Sequence, residues 1–180
     1  EWNRPAGHDL ESLQGDSILP GIFQNFGVTT EFSEKGIRIK KAKKKIDGFY
    51  FHFNDHPDIA PPVITTCAML GIRGRFEGLK SLRIKESDRF SALQNEFEKM
   101  GISVKTETEP DSELTMEIEP SRLTTSSTLR IDTYGDHRMA MTFAPLAIKL
   151  GKIQIENPDV VKKSYPGFWE DLISLGFTID

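Results

Sequence analysis

One pattern occurs three times in this chain and limits the folds it can adopt. An apolar-periodic stretch is followed by a glycine and then by alternating residues typical of a strand. The glycines Gly27, Gly101 and Gly176 recur about every 75 residues. A glycine placed just after a helix can adopt the left-handed conformation that caps it. The repeat therefore predicts an α/β fold assembled from similar helix-and-strand units.

A second repeated element is a helix that is apolar on almost every side, over residues 58–71 and again over 136–151. Such helices are buried. Each is predicted to begin with an aspartate N-cap, Asp58 or Asp136. Pro145 is predicted to kink the second helix. Strand-like runs follow at 72–76 and 152–156, and hairpins are predicted at 29–40 around Lys35-Gly36 and at 103–118 around Pro110-Asp111.

The repeats also predict how the domain is organised. Residues 58–120 make one complete unit of buried helix, strand, loop, amphipathic helix and hairpin. Residues 1–57 contain the later part of a unit and 136–180 the earlier part of a third. Because the first unit is incomplete and the chain begins at Glu1 rather than Met, we expect residues 1–180 to be a single domain of a longer protein.

Composition excludes several classes of function. The net charge of −4 over 180 residues gives no basic field that would attract nucleic acid. The sequence has no run of 18 consecutive apolar residues, so no membrane span is predicted, and no signal peptide pattern is present. The single cysteine, Cys67, lies in an apolar run, which favours a buried thiol in a reducing cytoplasm. The lysine-rich run 40–45 lacks interleaved aromatic residues and is interpreted as a solvated sheet edge.

Charged residues recur at corresponding positions of the repeat. Asp58 corresponds to Asp136, and Lys85 to Lys163. Two arginines, Arg89 and Arg138, are predicted in the first turns of helices, where free amides and the helix dipole favour anions. The helix of Arg89 is predicted over 88–100, with an apolar stripe formed by Phe90, Leu93, Phe97 and Met100.

These patterns have structural alternatives that local sequence leaves open. The run 85–89 equally describes a solvated helix start with a few ion pairs. Local sequence favours a helix cap for Asp58, a buried structural histidine for His137 and a solvated loop residue for Lys163 over functional roles. The spacing alone predicts an anion-binding domain and no particular reaction.

Several short motifs together resemble one enzyme family. They are Leu82-Arg83-Ile84-Lys85-Glu86-Ser87-Asp88-Arg89, Tyr134-Gly135-Asp136-His137-Arg138-Met139-Ala140-Met141, Lys163-Ser164-Tyr165-Pro166, Pro57-Asp58-Ile59-Ala60 and Leu13-Gln14-Gly15-Asp16. In this order they resemble the 3-phosphoshikimate 1-carboxyvinyltransferases, or EPSP synthases. That family has two similar domains, each an inside-out α/β barrel of three units with buried parallel helices and outer mixed sheets. The resemblance implies that this chain is most of the C-terminal domain and that the N-terminal domain is absent.

The resemblance also implies a reaction and a set of roles. The enolpyruvyl group of phosphoenolpyruvate is transferred to the 5-hydroxyl of shikimate 3-phosphate, and phosphate is released. Asp58 resembles the residue that takes the hydroxyl proton, Glu86 the residue that handles the methylene proton, and His137 a residue that orients Glu86. The residues that resemble substrate-binding positions are Ser81, Lys85, Arg89, Arg138 and Lys163. Ser81 stands where some members have asparagine.

Further expectations follow from the same resemblance. No metal or organic cofactor, no nucleic acid and no membrane partner is expected, and the protein is expected to be a monomer that binds both substrates. The alternative enzyme is the sister family that transfers enolpyruvate to a UDP-amino sugar. The alternative of another class is a non-catalytic anion-binding domain. Half a cleft cannot enclose a substrate, so this chain alone is expected to have negligible turnover.

Overall fold

The structure is a computed structural model that describes residues 15–43, 46–108, 114–119 and 128–180. Helices and strands are interspersed along the chain. The α-helices are α1 (Leu19–Asn25), α2 (Ala60–Leu70), α3 (Arg89–Lys99), α4 (His137–Phe143), α5 (Ala147–Leu150) and α6 (Phe168–Ser174). The 3₁₀ helices are Gly15–Ile18, Pro57–Ile59, Lys80–Ile84, Ala144–Leu146 and Pro158–Lys163. The strands are β1 (Val28–Ser33), β2 (Gly36–Lys41), β3 (Gly48–His52), β4 (Arg73–Glu77), β5 (Val104–Thr108), β6 (Leu114–Ile118), β7 (Leu129–Ile131) and β8 (Ile153–Ile155).

The strands form separate sheets that agree with the predicted hairpins. Strands β1 and β2 pair antiparallel, with Val28 opposite Lys41, which confirms the hairpin at 29–40. A mixed sheet has the order β3-β4-β6-β5, in which β3 and β4 are parallel and the other pairs are antiparallel. The pairing of β5 with β6 confirms the second hairpin, although its turn at Pro110-Asp111 lies outside the described residues. Strands β7 and β8 are parallel.

The three repeated glycines have the predicted conformation. Gly27, Gly101 and Gly176 have φ angles of 89°, 72° and 96°. The first two lead from a helix into β1 and β5. The strand predicted after Gly176 is wrong, because residues 177–180 have no strand conformation. A strand needs a hydrogen-bonded neighbour, and none of the described strands pairs with this segment.

The first buried helix, α2, begins differently from the prediction. Its core-facing residues are almost fully buried, and it packs against α4. Pro61 and Pro62 lie in its first turn, as predicted. Asp58, however, lies in the preceding 3₁₀ helix and its side chain caps nothing, so the predicted N-cap is wrong. Both prolines lack an N–H, which leaves fewer donors for a capping carboxylate at this helix start.

The second buried helix is interrupted at Pro145. Asp136 caps α4 as predicted, since its carboxylate accepts a hydrogen bond from the Arg138 N–H at 2.9 Å. The helix then narrows to the 3₁₀ turn Ala144–Leu146 before α5, which confirms the kink. Burial ends there as well. Ile148 is 79% exposed, so the prediction of a helix buried over its whole length is wrong beyond Leu146.

The core lies between the mixed sheet and the helices α2, α3 and α4. The stripe predicted for α3 is confirmed, because Phe90, Leu93, Phe97 and Met100 are all buried. Cys67 is also buried, and burial raises the pKa of its thiol to about 12. No helix among the described residues has the length and hydrophobicity needed to cross a membrane.

Candidate active site

Asp58 lies among three cations. Its carboxylate oxygens lie 3.4 Å from Lys85 Nζ, 3.2 Å from Arg89 Nη1 and 3.5 Å from Arg138 Nη2. The side chain is 45% exposed. Partial burial by itself raises the pKa of Asp58, but Arg138, Lys85 and Arg89 outweigh it and lower the pKa. Asp58 is therefore an ionised, accessible carboxylate that neutralises much of the positive charge around it.

The guanidinium of Arg89 is held in place by the buried carboxylate of Asp136. Arg89 Nε donates to Asp136 Oδ2 at 2.7 Å, and Nη2 donates to Oδ1 at 3.3 Å. The Arg89 side chain is 3% exposed and that of Asp136 is 0% exposed. The hydroxyl of Ser87 also donates to Asp136, at 3.2 Å. Burial tends to raise the pKa of Asp136, but these hydrogen bonds and the Arg89 charge lower it, so the buried group is a carboxylate.

The repeat predicts equivalent settings for Asp58 and Asp136, and this prediction is wrong. Asp136 is a buried ion-pair partner of Arg89, whereas Asp58 is accessible at the surface of the site. The two lysines do correspond: Lys85 directly follows one 3₁₀ helix and Lys163 ends another. Lys163 thus belongs to a helical turn, and its predicted loop setting is wrong.

A second acid–base group lies beside the first. His137 Nδ1 is 3.0 Å from Glu86 Oε2, and Lys163 Nζ is 3.8 Å from the same oxygen. Lys163 Nζ also donates to the main-chain oxygen of Gly135 at 3.1 Å. Glu86 is 40% exposed and His137 is 12% exposed. A carboxylate, an imidazole and an ammonium group in contact can move a proton and stabilise negative charge.

Ser81 is connected to this cluster only through the chain. It lies in the 3₁₀ helix Lys80–Ile84, just before Lys85. Its Oγ is buried and has no hydrogen-bond partner among the described residues. A buried hydroxyl without a partner is unusual in proteins. Of the eight residues predicted for the site, the other seven form two groups, with Lys85, Arg89 and Arg138 around Asp58 and with His137 and Lys163 around Glu86. The groups lie side by side, because Asp136, which binds Arg89, has an oxygen within 4.8 Å of donor atoms of Glu86 and His137.

One cluster of potential metal-ligand atoms lies in the site. Within the described part of the chain, one atom each from Glu86, Asp136 and His137 lies within 4.8 Å of the others. Both carboxylate oxygens of Asp136 already accept hydrogen bonds from Arg89, so a bound cation would lie next to a buried guanidinium. This electrostatic environment suits an anion better than a metal ion.

Sequence reasoning missed a second buried carboxylate next to the site. Glu96 is 0% exposed, accepts from Lys99 Nζ at 2.8 Å and accepts from the hydroxyl of Tyr134 at 2.8 Å. A signal was available, since Glu96 follows Arg89 by two helical turns and therefore lies on the same buried face of α3. A glutamate within an apolar stripe indicates a specific polar partner.

Comparisons with known proteins agree on one family. The model of the family described as EPSP synthase (3-phosphoshikimate 1-carboxyvinyltransferase) matches residues 6–172. A 3-phosphoshikimate 1-carboxyvinyltransferase of Bacteroides fragilis is 46% identical over 168 residues, which cover 93% of this chain and 40% of the relative. The enzyme of the same name from Methanopyrus kandleri is 34% identical over 178 residues, with 98% and 39% covered. The chain thus spans about two fifths of the length of the curated relatives it matches.

The fold is similar to that of a solved structure. An EPSP synthase from Acinetobacter baumannii superposes with a TM-score of 0.63 at 21% identity, covering 93% of this chain and 40% of that chain. This similarity confirms the predicted α/β fold of repeated helix-and-strand units. Part of the earliest motif, at residues 13 and 14, lies outside the described residues.

Proposed function

The chain belongs to the EPSP synthase family, and on this premise we propose that the full-length protein transfers the enolpyruvyl group of phosphoenolpyruvate to the 5-hydroxyl of shikimate 3-phosphate. Phosphate is the second product. The observation that carries the proposal is the set of cations around Asp58, next to the Glu86–His137 pair. Both substrates are phosphorylated anions, and several fixed cations stabilise such ligands and the charge that develops in transfer.

In this proposal Asp58 takes the proton from the 5-hydroxyl. With no substrate bound, the surrounding cations lower its pKa, which makes it a weak base. An arriving phosphate or carboxylate competes for Arg138, the cation farthest from Asp58 in this cluster. As this ion pair weakens, the proton affinity of Asp58 rises at the moment when the hydroxyl needs a base.

Glu86 and His137 handle the proton at the methylene carbon of phosphoenolpyruvate. Their contact of 3.0 Å lets the imidazole orient the carboxyl group. Lys163, 3.8 Å from Glu86, belongs to the cations that hold phosphoenolpyruvate, together with Arg89 and Arg138. Arg89 contributes through Nη1, because its Nε and Nη2 are bound to Asp136.

Shikimate 3-phosphate is assigned to Lys85 and Ser81. Lys85 offers a charge that is 30% exposed, and Ser81 a buried hydroxyl that has no hydrogen-bond partner among the described residues. We assign no metal or organic cofactor to the reaction.

The proposal extends to the organisation of the whole protein. We propose that residues 1–180 form most of the C-terminal domain and that an N-terminal domain of the same polypeptide supplies the facing wall of the cleft. The protein acts as a cytoplasmic monomer, without nucleic acid or membrane partners. A site that is open on one side cannot exclude water, so the 180-residue chain alone has negligible turnover.

A phosphate-release assay tests these statements. The full-length protein is incubated with phosphoenolpyruvate and either shikimate 3-phosphate or a UDP-amino sugar. Turnover with the first acceptor only is the expected result, and turnover with the second only would assign the protein to the sister family. Binding of both phosphorylated substrates without turnover would reduce the function to anion binding. Robust activity of the 180-residue chain would contradict the proposed need for a second domain.

A further inference from the structure

The turn before α4 has an unusual backbone. Tyr134 and Gly135 have φ angles of 53° and 70°. The Asp136 N–H donates to the main-chain oxygen of Thr133 at 2.8 Å and closes the turn. Positive φ at both central residues is typical of a type I′ turn, whose first central residue is usually glycine, asparagine or aspartate. A tyrosine at this position is strained, so its surroundings must hold it there.

Two hydrogen bonds of Tyr134 hold the turn in this conformation. The Tyr134 hydroxyl donates to Glu96 at 2.8 Å, and the Tyr134 main-chain N–H donates to Asp132 Oδ1 at 2.8 Å. Glu96 is fully buried and is fixed by Lys99, which contacts both carboxylate oxygens at 2.8 and 2.9 Å. Burial and the hydrogen bond to Glu96 raise the pKa of Tyr134 to about 12, so the hydroxyl remains a donor at neutral pH.

The same turn positions two cations of the site. The main-chain oxygen of Gly135 accepts the hydrogen bond from Lys163, and Asp136 binds Arg89. Arg89 and Glu96 lie two turns apart on the buried face of α3. Helix α3 therefore holds the turn at two points, through Arg89 at Asp136 and through Glu96 at the tyrosine.

We infer that Tyr134 and Glu96 are a positioning pair that holds this turn in the conformation that places Lys163 and Arg89 for an anionic ligand. Neither residue of the pair touches the ligand. The inference rests on the proposed function only in taking that ligand to be phosphoenolpyruvate. Tyr134 lies in one of the sequence motifs but has no role assigned to it there, and Glu96 lies outside all of the motifs.

The test compares two tyrosines of the full-length protein. Tyr134→Phe removes the hydroxyl and keeps the ring. Tyr50→Phe is the matched control, since the hydroxyl of Tyr50 donates to Glu77 at the same distance of 2.8 Å on the mixed sheet. Tyr134→Phe is expected to raise KM for phosphoenolpyruvate about tenfold and KM for shikimate 3-phosphate less than about twofold. The control is expected to leave both KM values unchanged.

A double-mutant cycle separates positioning from general loss of stability. In a Lys163→Ala background the effect of Tyr134→Phe is expected to fall from about tenfold to about threefold or less, because part of it acts through the lysine. Equal effects in both backgrounds, together with equal changes in both KM values, would overturn the inference.

If Tyr134→Phe does not fold, the variant Glu96→Gln tests the same inference. It is expected to raise KM for phosphoenolpyruvate at least about threefold, since an amide accepts more weakly than a carboxylate, and an unchanged KM would overturn the inference.

A second readout distinguishes failure of this inference from failure of the proposed function. An inactive wild type would refute the function and leave the anion site to be tested with inorganic phosphate by calorimetry. Weaker phosphate binding by Tyr134→Phe than by wild type and Tyr50→Phe supports the positioning pair. Equal affinity in the three proteins refutes it.

Discussion

Replacing Asp136 by alanine is expected to destabilise the protein strongly. The carboxylate is fully buried and accepts hydrogen bonds from Arg89, from Ser87 and from the Arg138 N–H. Its removal leaves the Arg89 guanidinium, 3% exposed, without its closest anion. Asp58 remains as a partner at 3.2 Å.

The magnitude follows from burial. Removing one member of a buried ion pair costs about 3–5 kcal/mol, because the remaining charge is left desolvated. Loss of the α4 N-cap costs about 1 kcal/mol more. The remaining contact of Arg89 with Asp58 offsets part of this, so we expect a loss of about 3–4 kcal/mol in the free energy of unfolding for Asp136→Ala. Asp58→Ala is the matched control, and since Asp58 is 45% exposed its loss is expected to be about 1 kcal/mol or less.

Urea unfolding of wild type and both variants measures these values. Nearly equal losses for Asp136→Ala and Asp58→Ala would refute the claim that burial decides the cost. The pH dependence gives an independent check. The folded-state pKa of Asp136 is lowered, so its contribution is present above the ordinary value of about 3.9 and is lost as the pH falls through the folded-state pKa. Asp136→Asn is expected to lose less stability than wild type over this acid range.

Three further predictions each concern a single residue. In the full-length protein, Glu86→Gln is expected to lower kcat much more than it changes either KM, and steady-state kinetics with an almost unchanged kcat would exclude the proton role. Cys67 is expected to resist thiol reagents in the folded protein, since it is buried with a pKa of about 12, and rapid labelling without denaturant would contradict this. Gly78→Ala is expected to cost about 1–3 kcal/mol in urea unfolding, since φ is +70° and the new Cβ would lie 2.6 Å from the Asn54 nitrogen. An unchanged unfolding midpoint would show that the backbone relaxes without strain.

Features that depend on neighbouring residues were predictable from the sequence. The positive φ of Gly27 and Gly101, the cap at Asp136 and the kink at Pro145 each follow from the conformational preferences of a few adjacent residues. The segment after Gly176 shows the limit. Its alternation fits a strand, but a strand forms only beside a partner, and sequence alone does not reveal which segment pairs with it.

The motifs identified the site residues, but they did not show that these residues differ in burial. The two prolines after Asp58 disfavour a cap there, but nothing local shows that Asp58 is accessible and that Asp136 is fully buried against Arg89. That contact joins residues 47 positions apart and depends on how α3 packs beside α4. The partnership of Glu96 with Tyr134 spans 38 positions and was missed for the same reason.

The ion pairs of Asp58 have a consequence for ligand selectivity. Its carboxylate already pairs with cations that an incoming anion would bind, so a simple inorganic ion has to displace it and is expected to bind weakly. When one ligand donates a hydroxyl to this carboxylate and a second ligand brings a new negative charge to the cations, every group of the cluster keeps a partner. An internal competitor of this kind is expected to weaken the binding of abundant cellular anions and to favour simultaneous occupation of the site by two matched molecules.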